Sequence, residues 1–534
     1  MRLLRITGLC ALLVGSAGAC ADLTQPNTNQ PDQSRVIASA GDVEALVAGS
    51  YLTLFRGYTW QTDLVLSTTA FQHSTTAASF GTVQLSRLPR EPINNTTSDA
   101  YTSMYEEIWY NSYAAIKAAV DGLNATHPLN PDGFRIIDEQ TDADNTPRAR
   151  AWARFTQGLG HGLLALTYDQ AFVYDQGVDP VKLTLQPYNE VMTEALAQLD
   201  SAAALAAAND FTIPATWFGN VGMTRATFIR TINGYQAFLR ASVARTPAQR
   251  NAVNWAAVIA DVDASFPCPG SATCENLTID ADPSVWIHGT HYYMGFAMQS
   301  GAWAQVSNFV HGMADQSGGY QTWLNKQVLS RTPFLIVTPD LRFPQGATAT
   351  AQAQNPGRYL LYGGTRGHLR SDRGTWRWSM YRDYRLDNTP GDQGPSILLS
   401  GRDLRLLKAE GLFRAGQLQA AADIINETRV HNGLSAATAA GLNTSCVPRL
   451  PGGQCGGLFE MLKWEKRMEN YHHNFGAWYF DSRGWGDLYR GTFLHFPVPA
   501  RELQVLGLPL YTFGGPGGYS NGTSPGSNYA YSRE

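Results

Sequence analysis

The stretch "LLKAEGLFRAGQLQAAADIINETRVHNGL", residues 406–434, carries the clearest fold signal in the chain. Its apolar residues keep a helical spacing on both sides of Gly416, which interrupts the pattern and predicts a turn between two helices. The apolar positions are Leu399, Leu406 and Phe413 for the first helix, then Leu418, Ala422 and Ile425 for the second. Gly433 is a suitable stop for the second helix. Two helices joined by a glycine turn, with alanines for close contact, predict an antiparallel hairpin of the tetratricopeptide type, although no clean repeat runs along the chain.

Further helices are predicted before this hairpin. Apolar residues at steps of three and four mark one buried stripe over residues 109–123 and another over residues 155–166. Within the second stripe, Gly158, Gly160 and Gly162 each lower helix propensity, which indicates that a neighbouring backbone approaches closely there. Two more helices are predicted over residues 188–208 and 223–245, with Thr224 as N-cap of the second.

Residues 264–395 have a different character. Helical periodicity fades, and tryptophan and tyrosine residues stand among Gly, Ser and Thr in short mixed runs. We therefore predict a mostly α fold, in which tetratricopeptide-like helical hairpins form a scaffold and a loop-rich insertion carries short strands. The final residues, 512–534, are rich in Gly, Ser, Asn and Tyr and are predicted to lie extended on the surface.

The first residues have the pattern of an export leader. Arg2 and Arg5 precede an apolar run, and small residues at positions 17–19 precede Cys20. One interpretation is ordinary cleavage after the small residues, which would leave Cys20 as a spare thiol. The favoured interpretation is a lipoprotein signal peptide over residues 1–19, with Cys20 as the acylated first residue and residues 20–40 as a flexible tether. The position three before the cysteine holds Ala17, where such signals usually have Leu.

The other cysteines support export. Beyond the leader, four cysteines form two local pairs in loops rich in Pro and Gly: Cys268 with Cys274, and Cys446 with Cys455. Zinc binding is the competing interpretation, but neither pair has the C-x2-C spacing or a histidine at ligand distance. Two disulfides that each close a short loop are therefore predicted, as suits an oxidising compartment. Cys20 is then the unpaired cysteine, as an anchor residue should be.

Charge and length limit the function classes. The chain has 534 residues and a formal net charge of −4, which gives no basic footprint for nucleic acid. Only 16% of the residues are charged whereas 11% are aromatic, a profile that excludes a disordered chain. After the leader, no apolar segment is long enough to span a bilayer.

Catalytic signatures are scarce. Phosphate-loop, dinucleotide-binding and H-E-x-x-H zinc motifs are absent, and the G-x-S-x-G at residues 522–526 lies in the Gly-rich tail without a strand-to-helix context. A glycosidase needs two carboxylates, for which Glu106 with Glu107 and Glu465 with Glu469 are candidates. The basic residues beside the second pair favour ion pairs on a helix surface instead. We expect no catalytic residue and no cofactor.

Two adjacent histidines, His472 and His473, could suggest a metal site. Neighbouring residues of a helix cannot face the same way, so a packed or solvated pair is the better interpretation. No metal ligand is therefore predicted from this motif.

Aromatic residues are the remaining candidates for binding. Aromatic rings stack on the apolar faces of sugars, and loops carry such sites more often than scaffolds do. Large aromatics also build cores, so the sequence leaves both roles open for each one. The predicted ligand contacts, chosen as aromatics carried by loops, are Trp60, Trp286, Tyr292, Tyr293 and Trp303.

Three C-terminal stretches resemble the SusD/RagB family of outer-membrane nutrient-binding lipoproteins. They are residues 406–434, "WEKRMENYHHNFGAWYFDSRGWGDL" at 464–488, and "FPVPARELQ" at 496–504. The positions that match the family pattern are Ala409, Glu410, Gly416, Asn426, Arg429, Gly433, Glu465, Arg467, Glu469, Asp481, Arg483, Trp485 and Gly486. Residues 41–55, "GDVEALVAGSYLTLF", are similar to the family's first mature helix. The family's Glu-Gly-x-Arg is replaced by "NFGAWYF", and Gly484 separates Arg483 from Trp485.

The resemblance implies one SusD-like domain over residues 41–534. Its parts would be helical over 41–263, a loop-rich aromatic insertion over 264–395, helical again over 396–511, and a tail over 512–534. The resemblance further implies a lipid anchor in the outer membrane, exposure at the cell surface, and a SusC-like TonB-dependent transporter as partner. The protein would bind oligosaccharide or another oligomeric nutrient without catalysis. An exported glycoside hydrolase and a helical-repeat scaffold for a protein partner are the alternatives.

Overall fold

The computed structural model describes residues 37–75, 81–130, 133–270, 273–299, 303–364, 379–387 and 393–529. The predicted signal peptide, Cys20 and most of the predicted tether lie outside the described residues. Across these ranges, none of the helices combines the length and the apolar character that a bilayer crossing requires.

The first half of the chain is helical, as predicted. Its helices are α1 (Ala40–Tyr58), α2 (Gln61–Thr69), α3 (Thr82–Ser86), α4 (Ser103–Ala125), α5 (Thr146–Thr167), α6 (Tyr188–Ala208), α7 (Arg225–Ser242), α8 (Pro247–Asn251) and α9 (Trp255–Asp263). The long helices pack in succession, α4 on α5, α5 on α6, α6 on α7 and α7 on α9. Thr224 is the N-cap of α7, since its hydroxyl accepts a hydrogen bond from the backbone N–H of Thr227 at 3.2 Å.

Helix α5 is the central helix of this half, because α1, α4, α6 and α7 all pack on it. Its three glycines make the close contacts possible. A Cβ at Gly158 would lie 2.8 Å from the carbonyl oxygen of Ala195 in α6, which confirms the predicted backbone approach. At Gly160 and Gly162 a Cβ would instead meet side chains of α4 and α7, at 2.9 and 2.7 Å. The cost in helix propensity is offset by packing on three sides.

The insertion contains short elements, as predicted. Its helices are α10 (Gly289–Gln299), α11 (Asn308–His311), α12 (Gly319–Asn325) and α13 (Ala349–Gln354). The strands of the described chain are β1 (His73–Thr75), β2 (Gln170–Phe172), β3 (Leu185–Pro187), β4 (Thr212–Ile213), β5 (Met223–Thr224), β6 (Leu277–Ala281), β7 (Ala304–Val306), β8 (Leu360–Tyr362), β9 (Tyr381–Asp383) and β10 (Gly394–Leu399). Each strand belongs to a two-stranded antiparallel sheet. The pair β6–β10 joins the beginning of the insertion to its end.

The C-terminal helices are α14 (Gly401–Arg414), α15 (Leu418–Arg429), α16 (Leu458–Glu469), α17 (Ala477–Trp485) and α18 (Ala500–Val505). Helices α14 and α15 form the predicted hairpin, with Gly416 in the turn at φ +75°. One detail of the prediction is wrong. Leu399 belongs to β10 rather than to the first helix, because Ser400 caps α14 by accepting a hydrogen bond from the backbone N–H of Asp403 at 3.3 Å.

Helix α16 has charged side chains that are buried in the core. Glu465 is fully buried, and its carboxylate accepts hydrogen bonds from Arg342, which reaches it from the insertion at 2.8 Å. Lys466 is also buried and lies 3.0 Å from Asp403 of α14. The predicted ion pairs on a helix surface are therefore wrong, since the partners come from other segments and exclude solvent. Such buried pairs fix the register of the elements that they connect, and loss of one partner leaves an uncompensated charge.

Both predicted disulfides are present. Cys268 is bonded to Cys274 and Cys446 to Cys455, each closing a short loop. The tail departs from its prediction, because part of it is packed into the protein. Tyr529 is buried, and its hydroxyl donates to a carboxylate oxygen of Glu460 in α16 at 2.6 Å.

Candidate functional site

A cavity of about 470 Å³ opens where the turn between α1 and α2, helix α4 and the loop before α10 meet. Its lining combines two aromatic and two aliphatic side chains with one cation and one carboxylate. The lining residues are Arg56, Thr59, Trp60, Glu107, Ser284, Val285, Ile287, Gly289 and Tyr292. Another cavity of about 470 Å³, at the β2–β3 hairpin and α6, has no aromatic residue in its lining. The first cavity is therefore the better candidate for binding a ring-shaped ligand.

Trp60 forms one wall, at the N-cap position of α2. Its position is fixed from behind by the first residues of α10. The backbone N–H of Thr290 donates to the carbonyl oxygen of Thr59 at 2.8 Å, and Gly289 lies directly on the indole. A Cβ at Gly289 would be 2.3 Å from Cε3 of that ring, so this position has no room for a side chain. The half-buried indole is thus held by α10 while it lines the cavity.

Another part of the lining consists of Tyr292, in the first turn of α10, and the loop before it. Tyr292 is 47% exposed. The loop is ordered by Asp282, whose carboxylate accepts hydrogen bonds from the backbone N–H of Ser284 and of Val285, both at 2.8 Å. Burial alone would raise the pKa of Asp282, but hydrogen bonds from Ser284, Val285 and Asn220 lower it. The loop is therefore shaped before any ligand arrives.

A histidine cluster supports α10 from inside the protein. The rings of His288 and His291 stack at 3.6 Å between centroids. His291 bonds through Nδ1 to the hydroxyl of Ser396 in β10 at 2.7 Å, and through Nε2 to the carbonyl oxygen of His472 at 2.7 Å. Burial lowers the pKa of His291 to about 4, so the ring is neutral at physiological pH. His472 and His473 are packed, and the described residues contain no group of three or more His, Cys, Asp or Glu side chains that could hold a metal ion.

Glu107 of α4 supplies the carboxylate of the cavity. Its Oε2 is buried and has no hydrogen-bond partner. Burial raises the pKa of Glu107 to about 7. Arg56 of α1 lines the same cavity, but its Nη2 donates to the carbonyl oxygen of Val285 at 3.3 Å and so ties α1 to the loop. The cavity therefore contains a buried acid with an unused oxygen.

A catalytic pair of carboxylates does not form here. The Oε2 atom of Glu106, also in α4, lies 4.0 Å from Nε of Arg501 in α18, and Glu106 is not part of the lining. Burial raises the pKa of Glu106, and the charge of Arg501 opposes that rise. Among the described lining residues Glu107 is the single carboxylate, whereas glycoside hydrolysis requires two that face one bond. In the G-x-S-x-G motif, the hydroxyl of Ser524 is buried and donates to the carbonyl oxygen of Leu488 at 2.9 Å.

The five aromatics predicted as ligand contacts separate into three groups. Trp60 and Tyr292 line the cavity. Tyr293 is buried behind it, with its ring edge-on to Trp60 at 6.0 Å. Trp286 is a core residue, since it is only 2% exposed and its ring packs between aromatics of α1. Trp303 is 40% exposed but packs edge-on to a neighbouring phenylalanine outside the cavity lining. The prediction of Trp286 and Tyr293 as ligand contacts is therefore corrected, because neither ring has an exposed face.

Seven of the nine lining residues were not predicted as ligand contacts, and the two charged ones, Arg56 and Glu107, matter most. Arg56 has no distinguishing pattern around it in the sequence. Glu107 stands out as one of two adjacent acids on an amphipathic helix, and the helical wheel could have placed it beside Trp60 only if the neighbour of α4 were known.

No family model matches the sequence, and no curated protein matches it. Solved structures do match. A SusD superfamily protein of Parabacteroides distasonis is 13% identical with a TM-score of 0.55, over 87% of this chain and 97% of its own. A SusD homolog of Bacteroides thetaiotaomicron is 12% identical with a TM-score of 0.55, over 92% of this chain and 100% of its own. A SusD-like carbohydrate-binding protein of Bacteroides vulgatus is 13% identical with a TM-score of 0.52, over 93% and 94%. The chain therefore has the SusD-like fold.

Proposed function

We propose that this chain, which has the SusD-like fold, belongs to the SusD/RagB family and captures oligosaccharides or related oligomeric nutrients at the cell surface. In this proposal Cys20 carries the lipid anchor in the outer membrane, and a SusC-like TonB-dependent transporter receives the ligand. The fold over most of the chain supports the proposal, as does the neighbour described as carbohydrate-binding. The export leader and the two disulfides agree with a location outside the cytoplasm.

The observation that carries the proposal is the cavity between Trp60 and Tyr292. Its volume of about 470 Å³ lies in the range of small-molecule sites, and its lining has apolar walls with a few polar groups. Aromatic side chains bury a large apolar area at low entropic cost, which suits the apolar face of a sugar ring. Hydroxyl groups of the sugar would find polar partners among Ser284, Arg56 and Glu107 of the lining.

The proposed role is binding without turnover. One carboxylate in the cavity cannot serve as both acid and base across a glycosidic bond. The single carboxylate among the described lining residues therefore favours binding over hydrolysis, and the aromatic lining favours a sugar ligand over the scaffold alternative.

The test is titration calorimetry of the mature chain, made with Cys20→Ala so that no lipid is attached, against a panel of oligosaccharides. We expect Trp60→Ala to weaken glycan binding at least tenfold, about 1.4 kcal/mol. Trp303→Ala is the matched control, since this exposed tryptophan lies outside the cavity, and it should leave affinity unchanged. Equal binding by Trp60→Ala and the parent protein would refute the site. Release of shorter sugars during the titration would refute the absence of catalysis.

The anchor and the partner need separate tests in cells. The unchanged chain should sediment with outer membranes, and Cys20→Ala should move it to the soluble fraction. Persistence of Cys20→Ala in the membrane fraction would refute the lipid anchor. A TonB-dependent barrel should copurify with the anchored protein from detergent extracts, and its absence would remove the proposed partner.

A further inference from the structure

The charge of Glu107 gives the cavity a preference that a neutral sugar satisfies only in part. Glu107 belongs to the lining together with Trp60 and Tyr292, and its carboxyl group is partly desolvated, with Oε2 closed to solvent. A desolvated carboxylate without an ion-pair partner gains more from a charged hydrogen-bond donor than from a neutral one.

Among the described lining residues, no cation forms an ion pair with this acid. Arg56 is the basic residue among them, and its guanidinium donates to the carbonyl oxygen of Val285. No ion pair joins Glu107 to another side chain in the part of the chain that the structure describes, and burial is the cause of its raised pKa, with no basic side chain opposing it. A positively charged group of the ligand could therefore pair with Glu107 without competition from a described side chain.

The aromatic walls favour the same kind of group. An ammonium near the face of a tryptophan or tyrosine ring is attracted by the ring's quadrupole, and the attraction grows when water is excluded. Trp60 is half-buried and Tyr292 is exposed, and both line the same cavity as Glu107. Carboxylate and aromatic faces together are the usual recognition chemistry for an ammonium group.

We propose that this cavity selects amino sugars, with the ligand's ammonium group paired with the carboxylate of Glu107 in the cavity that Trp60 and Tyr292 line. The inference rests on the proposed glycan-binding function and names its ligand class. An N-acetylated or hydroxylated sugar would occupy the same walls without forming the charged hydrogen bond.

Binding should also change the protonation of Glu107. At neutral pH about half of these carboxyl groups carry a proton, because the pKa is about 7, and an ammonium favours the ionised form. The other titratable groups in the lining are Arg56 from α1 and Tyr292 from α10, and Glu106 on the same helix faces Arg501 instead. Ionisation of Glu107 should therefore release about half a proton per site at pH 7, offset by any proton that an unprotonated ligand amine takes up, whereas the acetylated counterpart should cause neither change.

The experiment compares glucosamine oligomers with N-acetylglucosamine oligomers of equal length and linkage, by calorimetry at pH 7 in two buffers of different ionisation enthalpy. We expect the parent protein to prefer the free amine at least tenfold, and to release about half a proton more per site than Glu107→Gln does when it binds the amine. Glu107→Gln keeps the side-chain shape, and it should remove the preference while the affinity for the acetylated oligomer stays within twofold. Trp303→Ala is the control and should behave as the parent.

Equal affinity for the two oligomers, a preference for the acetylated one, or failure to bind the amine would overturn the inference. The proposed function fails separately, when no sugar of the wider panel binds in a manner that depends on Trp60. If neutral sugars bind in a manner that depends on Trp60, and Glu107→Gln leaves the affinity for the amine unchanged, the proposed function stands and the amino-sugar preference is rejected.

Discussion

His161 should make the native state sensitive to acid. This histidine lies in the central helix α5 and is completely buried. The backbone N–H of Tyr174 donates to its Nε2 at 3.1 Å, so Nε2 must be unprotonated and Nδ1–H donates to the carbonyl oxygen of Gln157 at 3.0 Å. Protonation of the ring would place a proton on Nε2 and break the bond from Tyr174. Burial lowers the pKa of His161 to about 4, against 6.5 for an exposed histidine.

The sign and the size of the effect follow from these two pKa values. Between pH 6.5 and pH 4 the unfolded chain binds a proton at this residue and the native state does not, so acidification favours unfolding. One pKa unit corresponds to about 1.4 kcal/mol, so a fall from neutral pH to pH 5 should remove about 2 kcal/mol of the free energy of unfolding through His161 alone. The loss should continue down to about pH 4 and then stop.

The assay is denaturant unfolding of the parent and of His161→Gln between pH 5 and pH 7.5, followed by tryptophan fluorescence. His161→Gln will change stability at every pH, but its difference from the parent should shrink by about 2 kcal/mol towards pH 5, because glutamine does not titrate. His431→Gln is the control, since His431 is exposed, and its difference from the parent should stay constant. A constant difference for His161→Gln would refute the reasoning.

Three further predictions concern packing, buried charge and a covalent link. Gly289→Ala should displace the Trp60 indole and weaken glycan binding at least fivefold in calorimetry, while far-ultraviolet circular dichroism stays unchanged. Glu410→Gln should lower the free energy of unfolding by about 3 kcal/mol in denaturant titrations, since it leaves a buried arginine without its full countercharge. Replacement of Cys446 and Cys455 by Ser should cost about 2 to 3 kcal/mol in the same assay, in keeping with a short closed loop.

Local patterns predicted most of the fold. The α14–α15 hairpin follows from apolar spacing and Gly416, and the glycines of α5 do mark close packing. Leu399 was assigned to the wrong element because one apolar residue before a cap fits a strand and a helix equally well. Glu465 was placed on the surface because its partner Arg342 lies more than a hundred residues away in the sequence.

The site was only partly predictable. The sequence does not separate Trp60 from Trp286, since each stands in a segment without regular periodicity. Burial separates them, because α1 covers Trp286 whereas the indole of Trp60 reaches the cavity. The role of Glu107 depends on the same tertiary information, since its neighbours in the cavity come from α1, the α1–α2 turn and the insertion. Residue type alone does not identify these neighbours.

The backbone hydrogen bond from Thr290 to Thr59 has a consequence for biosynthesis and export. It joins two residues separated by more than two hundred positions, so the tryptophan wall is incomplete until the middle of the polypeptide has been made and folded. A fragment that ends before α10 would lack both Gly289 and Thr290, and with them the contacts that hold the Trp60 indole in the lining. Binding at this cavity would therefore require the chain at least as far as the first turn of α10.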